Sequence, residues 1–336
     1  MWSSQRPEAL SRRAAGYAAF LQDALTKDRA DKTISGHAGQ WKMWSEFASA
    51  EGFCRLPASP FHVALFLVHR FKGAASRGET QQPVVKSADA IGYVHLHCAL
   101  ADPTKATLPQ AVVHFAYRQL ARPPTKSKRL TAEILAKLAT TFADSTDHGW
   151  RMIYVALLIG FAGFLRWDDM MHVDLAFVVF ESDHMRLFVE KSKTDQTRVG
   201  HWVVVAVVEG ALCPVTNLQR FMRMAGVTSG PLLRRVVRTK NGCTVSKYPL
   251  SYSRFLCLMR EALMQAGLSP AEAQEFGTRC MRTGGATAAA EFGVPDRLRL
   301  SHGRWQSETV GNGYVQDSLA QLLLVTRNLG LARTSP

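Results

Sequence analysis

Apolar and polar positions along the first third of the chain repeat with a helical period. In PEALSRRAAGYAAFLQDALTKD, Leu10, Ala14, Tyr17, Leu21 and Leu25 form one stripe. Trp41, Trp44, Phe47 and Ala48 mark a second helix. A third starts in PASPFHVALFLVHRF, where Ser59 can cap and Pro60 can occupy the first turn. A fourth runs near SADAIGYVHLHCAL, with Ala88, Ile91 and Cys98 on or near one face. Together they predict a compact helical bundle over residues 1–121.

The pattern then breaks. ARPPTKSKR (Ala121 to Arg129) holds two prolines, four cations and no apolar residue after Ala121. It reads as an extended linker over 122–129. Such a linker suits a phosphate backbone, and it suits an ordinary solvated hinge equally well. Periodicity returns in LTAEILAKLATTF, with Thr131 as N-cap, and the apolar run VALLIGFAGFL (Val155 to Leu165) reads as a buried helix. HMRLFVE alternates, with Met185, Leu187 and Val189 on one face and Arg186, Phe188 and Glu190 on the other. HWVVVAVV is short and β-branched, so with KSKTDQTRVG between them the two predict a hairpin. Helices follow at CPVTNLQRFMRMAG, SYSRFLCLMREALMQAG and MRTGGATAAAEFG. The predicted fold class is mainly α, within α+β: a helical N-terminal bundle, then a mostly helical domain over 130–336 with a small antiparallel sheet. In the tail, Leu319, Leu322 and Leu323 have the spacing of an amphipathic helix.

Charge narrows the function. Lys and Arg number 41 against 27 Asp and Glu, a net charge of +14. An excess of this size points to a polyanion or an anionic membrane. The longest apolar run is too short to span a bilayer, which favours nucleic acid. The first twenty residues carry charges with no apolar run behind them, so no secretory signal is expected. Six cysteines, with no CxxC pair, imply reduced thiols in an intracellular protein. His95, His97 and Cys98 lie on a predicted helix at spacings that point them apart, so no metal is expected there.

Candidate chemistry gathers in the second domain. Arg166 ends the apolar run in GFAGFLRWDD, and Asp169, three residues on, can hold its guanidinium. A purely local ion pair fits that stretch as well. Lys193, in KSKTDQ, sits near the hairpin tip, where it can reach into a cleft or stay solvated. Arg279 and Arg282 flank the start of the GGATAAA helix, a place suited to a phosphate-sized anion. Gly284 and Gly285 allow a backbone or a ligand to approach closely. In SHGRWQSETVGNGYVQDS, Trp305 follows a Gly303 turn and Tyr314 follows Gly311, Asn312 and Gly313.

The order of these stretches is distinctive. LRWDD, a hairpin lysine in SKT, RCMRTGGAT and GRW followed by a tyrosine resemble the catalytic domain of the tyrosine recombinases, the phage-integrase superfamily. The N-terminal helices resemble that family's SAM-like core-binding domain, which binds DNA. SKTDQ, GGATAAAEFGVPDRL and HGRWQSETVGNGYVQDS look closest to recombinases of eukaryotic mobile elements. The resemblance implies Tyr314 as nucleophile, Arg166 and Arg282 as catalytic arginines, and Asp169 as the acid that orients Arg166. It implies Lys193 as general acid and Trp305 at a position filled by His or Trp. Lys126, Lys128, Arg129 and Arg304 are further candidates for backbone phosphate. The implied partners are double-stranded DNA and further copies of the chain, four around a synapse, with no cofactor, metal or membrane. The implied compartment is the nucleus. The family often exchanges its C-terminal segment between subunits, which the tail helix would suit.

The chemistry fits these residue types. Tyrosine can attack a phosphodiester to give a 3′-phosphotyrosyl link, and it needs a cationic neighbourhood to ionise near neutral pH. Guanidiniums stabilise the charge that develops on the phosphate, and lysine can give a proton to the 5′-oxygen. One residue departs from the pattern. The family has His-x-x-Arg where this chain has Arg279-x-x-Arg282. Histidine can accept the tyrosine proton, whereas arginine has no acceptor. Two functions follow as expectations: an active site-specific recombinase, or a catalytically impaired, element-derived DNA-binding protein. A topoisomerase-like relaxing activity shares the chemistry, though the N-terminal bundle suits a recombinase better.

Overall fold

The computed structural model describes residues 17, 31–123, 127–190, 200–240, 242–316 and 323. Leu10, Ala14, Leu21, Leu25, Lys126, Lys193, Leu319 and Leu322 therefore lie outside the described residues. The chain divides into two compact units, 1–125 and 126–336, and the division falls inside the basic proline-containing stretch.

The first unit is built from α1 (Asp31–Ala50), α2 (Pro60–Ser76), α3 (Gln82–His97) and α4 (Thr107–Leu120). α1 packs on α3, and α2 packs on α4. Trp44, Phe66, Leu67, Val84 and Ile91 are sealed in its core. Pro60 opens α2 as expected, but the Ser59 side chain makes no capping bond. α4 escaped the apolar pattern because its large side chains face outward. Leu108, Phe115 and Tyr117 are exposed, while Pro109 and Ala116 are buried. His95 is a core residue. Its Nε2 accepts the Ala58 N–H at 2.9 Å and its Nδ1–H donates to the Ile91 carbonyl at 2.8 Å. Burial lowers its pKa and favours this neutral form. Among the described residues, no three His, Cys, Asp or Glu side chains are gathered to hold a metal. No helix among them is long and apolar enough to cross a membrane.

The second unit opens with α5 (Ala132–Phe142), capped by Thr131, whose Oγ1 accepts the Ile134 N–H at 3.3 Å. α6 (His148–Ala162) is its central helix, with every residue from Arg151 to Gly160 buried. The predicted run to Leu165 breaks early. Phe164 takes a left-handed φ of 48°, and the Leu165 N–H turns back to the Gly160 carbonyl at 2.9 Å. Arg166 then caps a separate short helix, α7 (Trp167–Met171). Arg166 and Asp169 are thus two ends of a new first turn, not neighbours on one long helix.

Strands β1 (Val178–Phe180), β2 (His184–Val189) and β3 (His201–Ala206) form an antiparallel sheet in that order. Leu187 pairs with Val203 and Met185 with Val205, both inward, while Phe188 and Trp202 meet on the outer face. β1 is too short to show alternation. After α8 (Pro214–Ala225) comes a second hairpin, β4 (Arg234–Thr239) and β5 (Gly242–Pro249). The sequence reading missed it, although Asn241-Gly242 between β-branched residues was a turn signal. Helices α9 (Tyr252–Gln265), α10 (Pro270–Gln274), α11 (Cys280–Glu291), α12 (Asp296–Gly303) and α13 (Glu308–Asn312) complete the unit. α5, α8, α9 and α11 surround α6.

Candidate active site

The turn between α6 and α7, the start of α11, the end of α12 and the segment after α13 converge on one buried carboxylate. Asp169 is fully buried. Its Oδ2 accepts the Arg166 N–H at 3.0 Å and an Arg304 Nη2–H at 3.2 Å. The same oxygen lies 3.9 Å from Arg166 Nη1 and 3.9 Å from Arg282 Nη1. One carboxylate is therefore shared by three guanidiniums, which leaves the cluster short of negative charge. A buried excess of this sign is an anion site, because unpaired buried cations are costly.

Arg282 lies in the first turn of α11 and is fully buried. It donates to the Phe164 and Gly303 carbonyls, leaving three of a guanidinium's five N–H groups unassigned by these bonds. Its guanidinium carbon sits 4.4 Å from the Trp305 ring centre and 5.1 Å from that of Tyr314. Burial first, then repulsion from Arg166 and Arg304, pulls its pKa down to about 9, which still leaves it charged at neutral pH. Gly284 and Gly285 explain how the helix carrying it sits so deep. A Cβ at Gly284 would come 2.0 Å from the Leu130 carbonyl oxygen, and one at Gly285 would come 2.1 Å from that of Phe161. What approaches these glycines is protein backbone.

Tyr314 packs on Trp305 with ring centres 5.2 Å apart, and the Arg166 guanidinium lies 5.9 Å from its ring centre. Partial burial, the largest influence, pushes its pKa up. A hydrogen bond from Arg166 and the charges of Arg166, Arg282 and Arg279 outweigh that and bring it below the usual value. Trp305 is buried, and its Nε1–H has no partner among the described residues. That donor is available to a phosphate oxygen.

Arg279 is exposed at the N-terminal end of α11. It acts on Tyr314 through its charge. His302 is the nearest histidine in sequence. Its Nε2–H donates to the Ala162 carbonyl at 2.7 Å, and burial lowers its pKa.

Of the four cations expected on backbone phosphate, three are described. Arg304 turns inward at a left-handed φ of 56°, donating to the carbonyls of Gly163, His302 and Phe164 as well as to Asp169. It is a buried brace rather than a surface contact. Lys128 pairs with Glu275 at 2.8 Å. Arg129 pairs with Glu291 at 2.9 Å and donates to the Gln316 carbonyl at 3.0 Å. Lys126 and Lys193 fall outside the described residues. The structure thus brings together Arg166, Asp169, Arg282, Trp305 and Tyr314, with Arg279 at the rim. Sequence reading missed Thr287, whose hydroxyl contacts the tyrosine segment. It closes the RCMRTGGAT stretch, but the stretch does not give its hydroxyl a role, since only the chain's return after α13 brings a partner to it.

Known proteins share this arrangement of elements. Lambda integrase, as a dimer bound to a COC′ core site, matches with a TM-score of 0.57 at 16% identity, covering 91% of this chain and 96% of that one. The chain has the tyrosine-recombinase fold. A second recombinase structure, a lambda integrase tetramer bound to a Holliday junction, matches with a TM-score of 0.56 at 15% identity over 94% of this chain and 83% of that one. In sequence, an integrase/recombinase XerD homolog from Selenomonas ruminantium is 24% identical over 298 residues, 87% of this chain and 83% of the homolog. No family model matches the chain. In this fold Arg166, Arg304 and Tyr314 gather beside Arg282 at the start of α11.

Proposed function

We propose that the protein is a site-specific DNA recombinase that cuts and rejoins strands through a 3′-phosphotyrosyl intermediate on Tyr314. The observation that carries this is the seating of the Tyr314 phenol on Arg166 and Arg282, with a lowered pKa. A tyrosine poised to ionise beside an uncompensated guanidinium cluster suits attack on a phosphodiester. The Tyr314 oxygen attacks phosphorus, the bond to the 5′-oxygen breaks, and that oxygen takes a proton. Lys193 is the proposed donor by resemblance. Religation reverses the step with a 5′-hydroxyl from a partner strand. In the present arrangement the Tyr314 ring lies over Arg282, so the ring must swing aside for phosphate to reach that guanidinium. The net charge of +14 suits the grip on duplex DNA. The lambda integrase assemblies support a synapse of four copies.

Arg279 favours a second reading, a DNA-binding protein that no longer cleaves. Arg279 cannot accept the phenol proton. The wording of SKTDQ and GGATAAAEFGVPDRL supports an origin in a eukaryotic mobile element, and with it a nuclear location. Covalent trapping tests both functions. The protein is incubated with nicked suicide duplexes from a random-sequence library and run on a denaturing gel beside Tyr314→Phe and Arg279→His. A DNA-linked band in the parent that disappears in Tyr314→Phe is the expected result. A band only in Arg279→His, or none with DNA binding retained, would favour the second reading.

A further inference from the structure

The strand that carries the nucleophile is tied down beyond the nucleophile itself. Thr287, fully buried on α11, donates its hydroxyl to the Tyr314 carbonyl at 3.4 Å and accepts the Gln316 N–H at 3.2 Å. Arg129 donates to the Gln316 carbonyl at 3.0 Å and is itself held by Glu291 at 2.9 Å. Glu291 is the last residue of α11, the helix that carries Arg282 at its other end. Arg129 lies on the segment entering the unit, where the Leu130 N–H donates to the Cys280 carbonyl at 3.1 Å. The tyrosine's backbone is thus latched at Thr287 and Arg129 to the helix that holds its phosphate site, while its ring packs on Trp305 and its phenol takes a hydrogen bond from Arg166.

We infer that Thr287 and Arg129 are positioning residues: they dock the backbone at Tyr314–Gln316 so that the phenol swings about a fixed pivot. This rests on the recombinase reading for its catalytic consequence, but the docking itself is a property of the free protein. It also gives Arg129 a role distinct from gripping DNA. A backbone-phosphate contact would change the salt dependence of binding, whereas a latch would not.

Hydrogen exchange by mass spectrometry on the full chain without DNA tests the docking. Thr287→Val removes the acceptor of the Gln316 N–H with little change of shape, and Thr287→Ser keeps it. Exchange in the peptide spanning 314–316 should rise about fivefold in Thr287→Val and in Arg129→Ala, the worth of one ordinary hydrogen bond. Thr287→Ser should restore protection. In DNA binding across a salt series, Arg129→Ala should leave the slope of log K against log salt unchanged. Unaltered exchange in both variants, or a slope that falls by about one in Arg129→Ala, would overturn the inference. Single-turnover trapping then reads the consequence: a slower adduct rate at unchanged DNA affinity in Thr287→Val, recovered in Thr287→Ser. A parent that forms no adduct would count against the recombinase reading alone, because the exchange result stands without it.

Discussion

At the scale of single residues, Arg279 is where chemistry and family pattern part, and it makes a pH prediction. Positive charge favours the phenolate, and Arg279 is one of three arginines that lower the Tyr314 pKa. Cleavage should rise with pH as the phenol ionises, with its midpoint below the usual tyrosine value near 10. Removing a positive charge raises the pKa, so in Arg279→Ala the midpoint should move to higher pH. At pH 7 the ionised fraction falls about tenfold for each unit of that move. Single-turnover adduct formation between pH 6 and 10 measures it. An unmoved midpoint would mean that solvent screens the exposed Arg279 charge from the phenol. Arg166, Arg282, Trp305 and Tyr314 were legible because each stands in a short stretch whose order is informative. Arg304 was not, because its part depends on a left-handed turn that aims a cation from a surface-looking GRW sequence into the interior.

At the scale of elements, α11 is held by what it lacks. Gly284 touches the Leu130 carbonyl and Gly285 the Phe161 carbonyl, so a methyl group at either has no room. Gly284→Ala should cost about 3 kcal/mol or more, because rigid backbone on both sides must move. Gly39→Ala, on the exposed side of α1 with nothing within 4 Å, should instead stabilise by about 0.5–1 kcal/mol. Chemical denaturation of the two variants against the parent gives both signs. Equal midpoints would show that α11 shifts to accommodate the methyl. The glycines read correctly as close-approach residues, but sequence did not say that the approaching group is backbone. The α6 boundary shows a similar limit. Apolar residues run unbroken to Leu165, and only the turn at Gly163 and Phe164, closed by tertiary packing, ends the helix. The β4–β5 hairpin carried its own turn signal, so missing it was a failure of reading rather than of information.

At the scale of the whole molecule, the question is which protomer's tyrosine attacks the phosphate that a given protomer holds. The Tyr314 ring rests on Arg166 and Arg282 of its own chain, and its backbone is fastened to Thr287 and Arg129 of that chain. The fastening predicts attack in cis, because delivery to a neighbour would break the Thr287 and Arg129 bonds. A mixing experiment decides it. Tyr314→Phe keeps the phosphate site and lacks the nucleophile, and Arg282→Ala keeps the nucleophile and lacks an essential cation. Each alone should form no adduct on a suicide duplex with two binding sites. In cis, no protomer of a mixed assembly holds both parts, so a one-to-one mixture should stay at background. In trans, a Tyr314 from the Arg282→Ala protomer would reach the intact site of its neighbour, and about half of the assembled pairs would contain that combination if the two variants mix randomly. An adduct approaching a quarter to a half of the parent's would therefore rule out cis attack, and tagging one variant by size would show which chain carries the DNA.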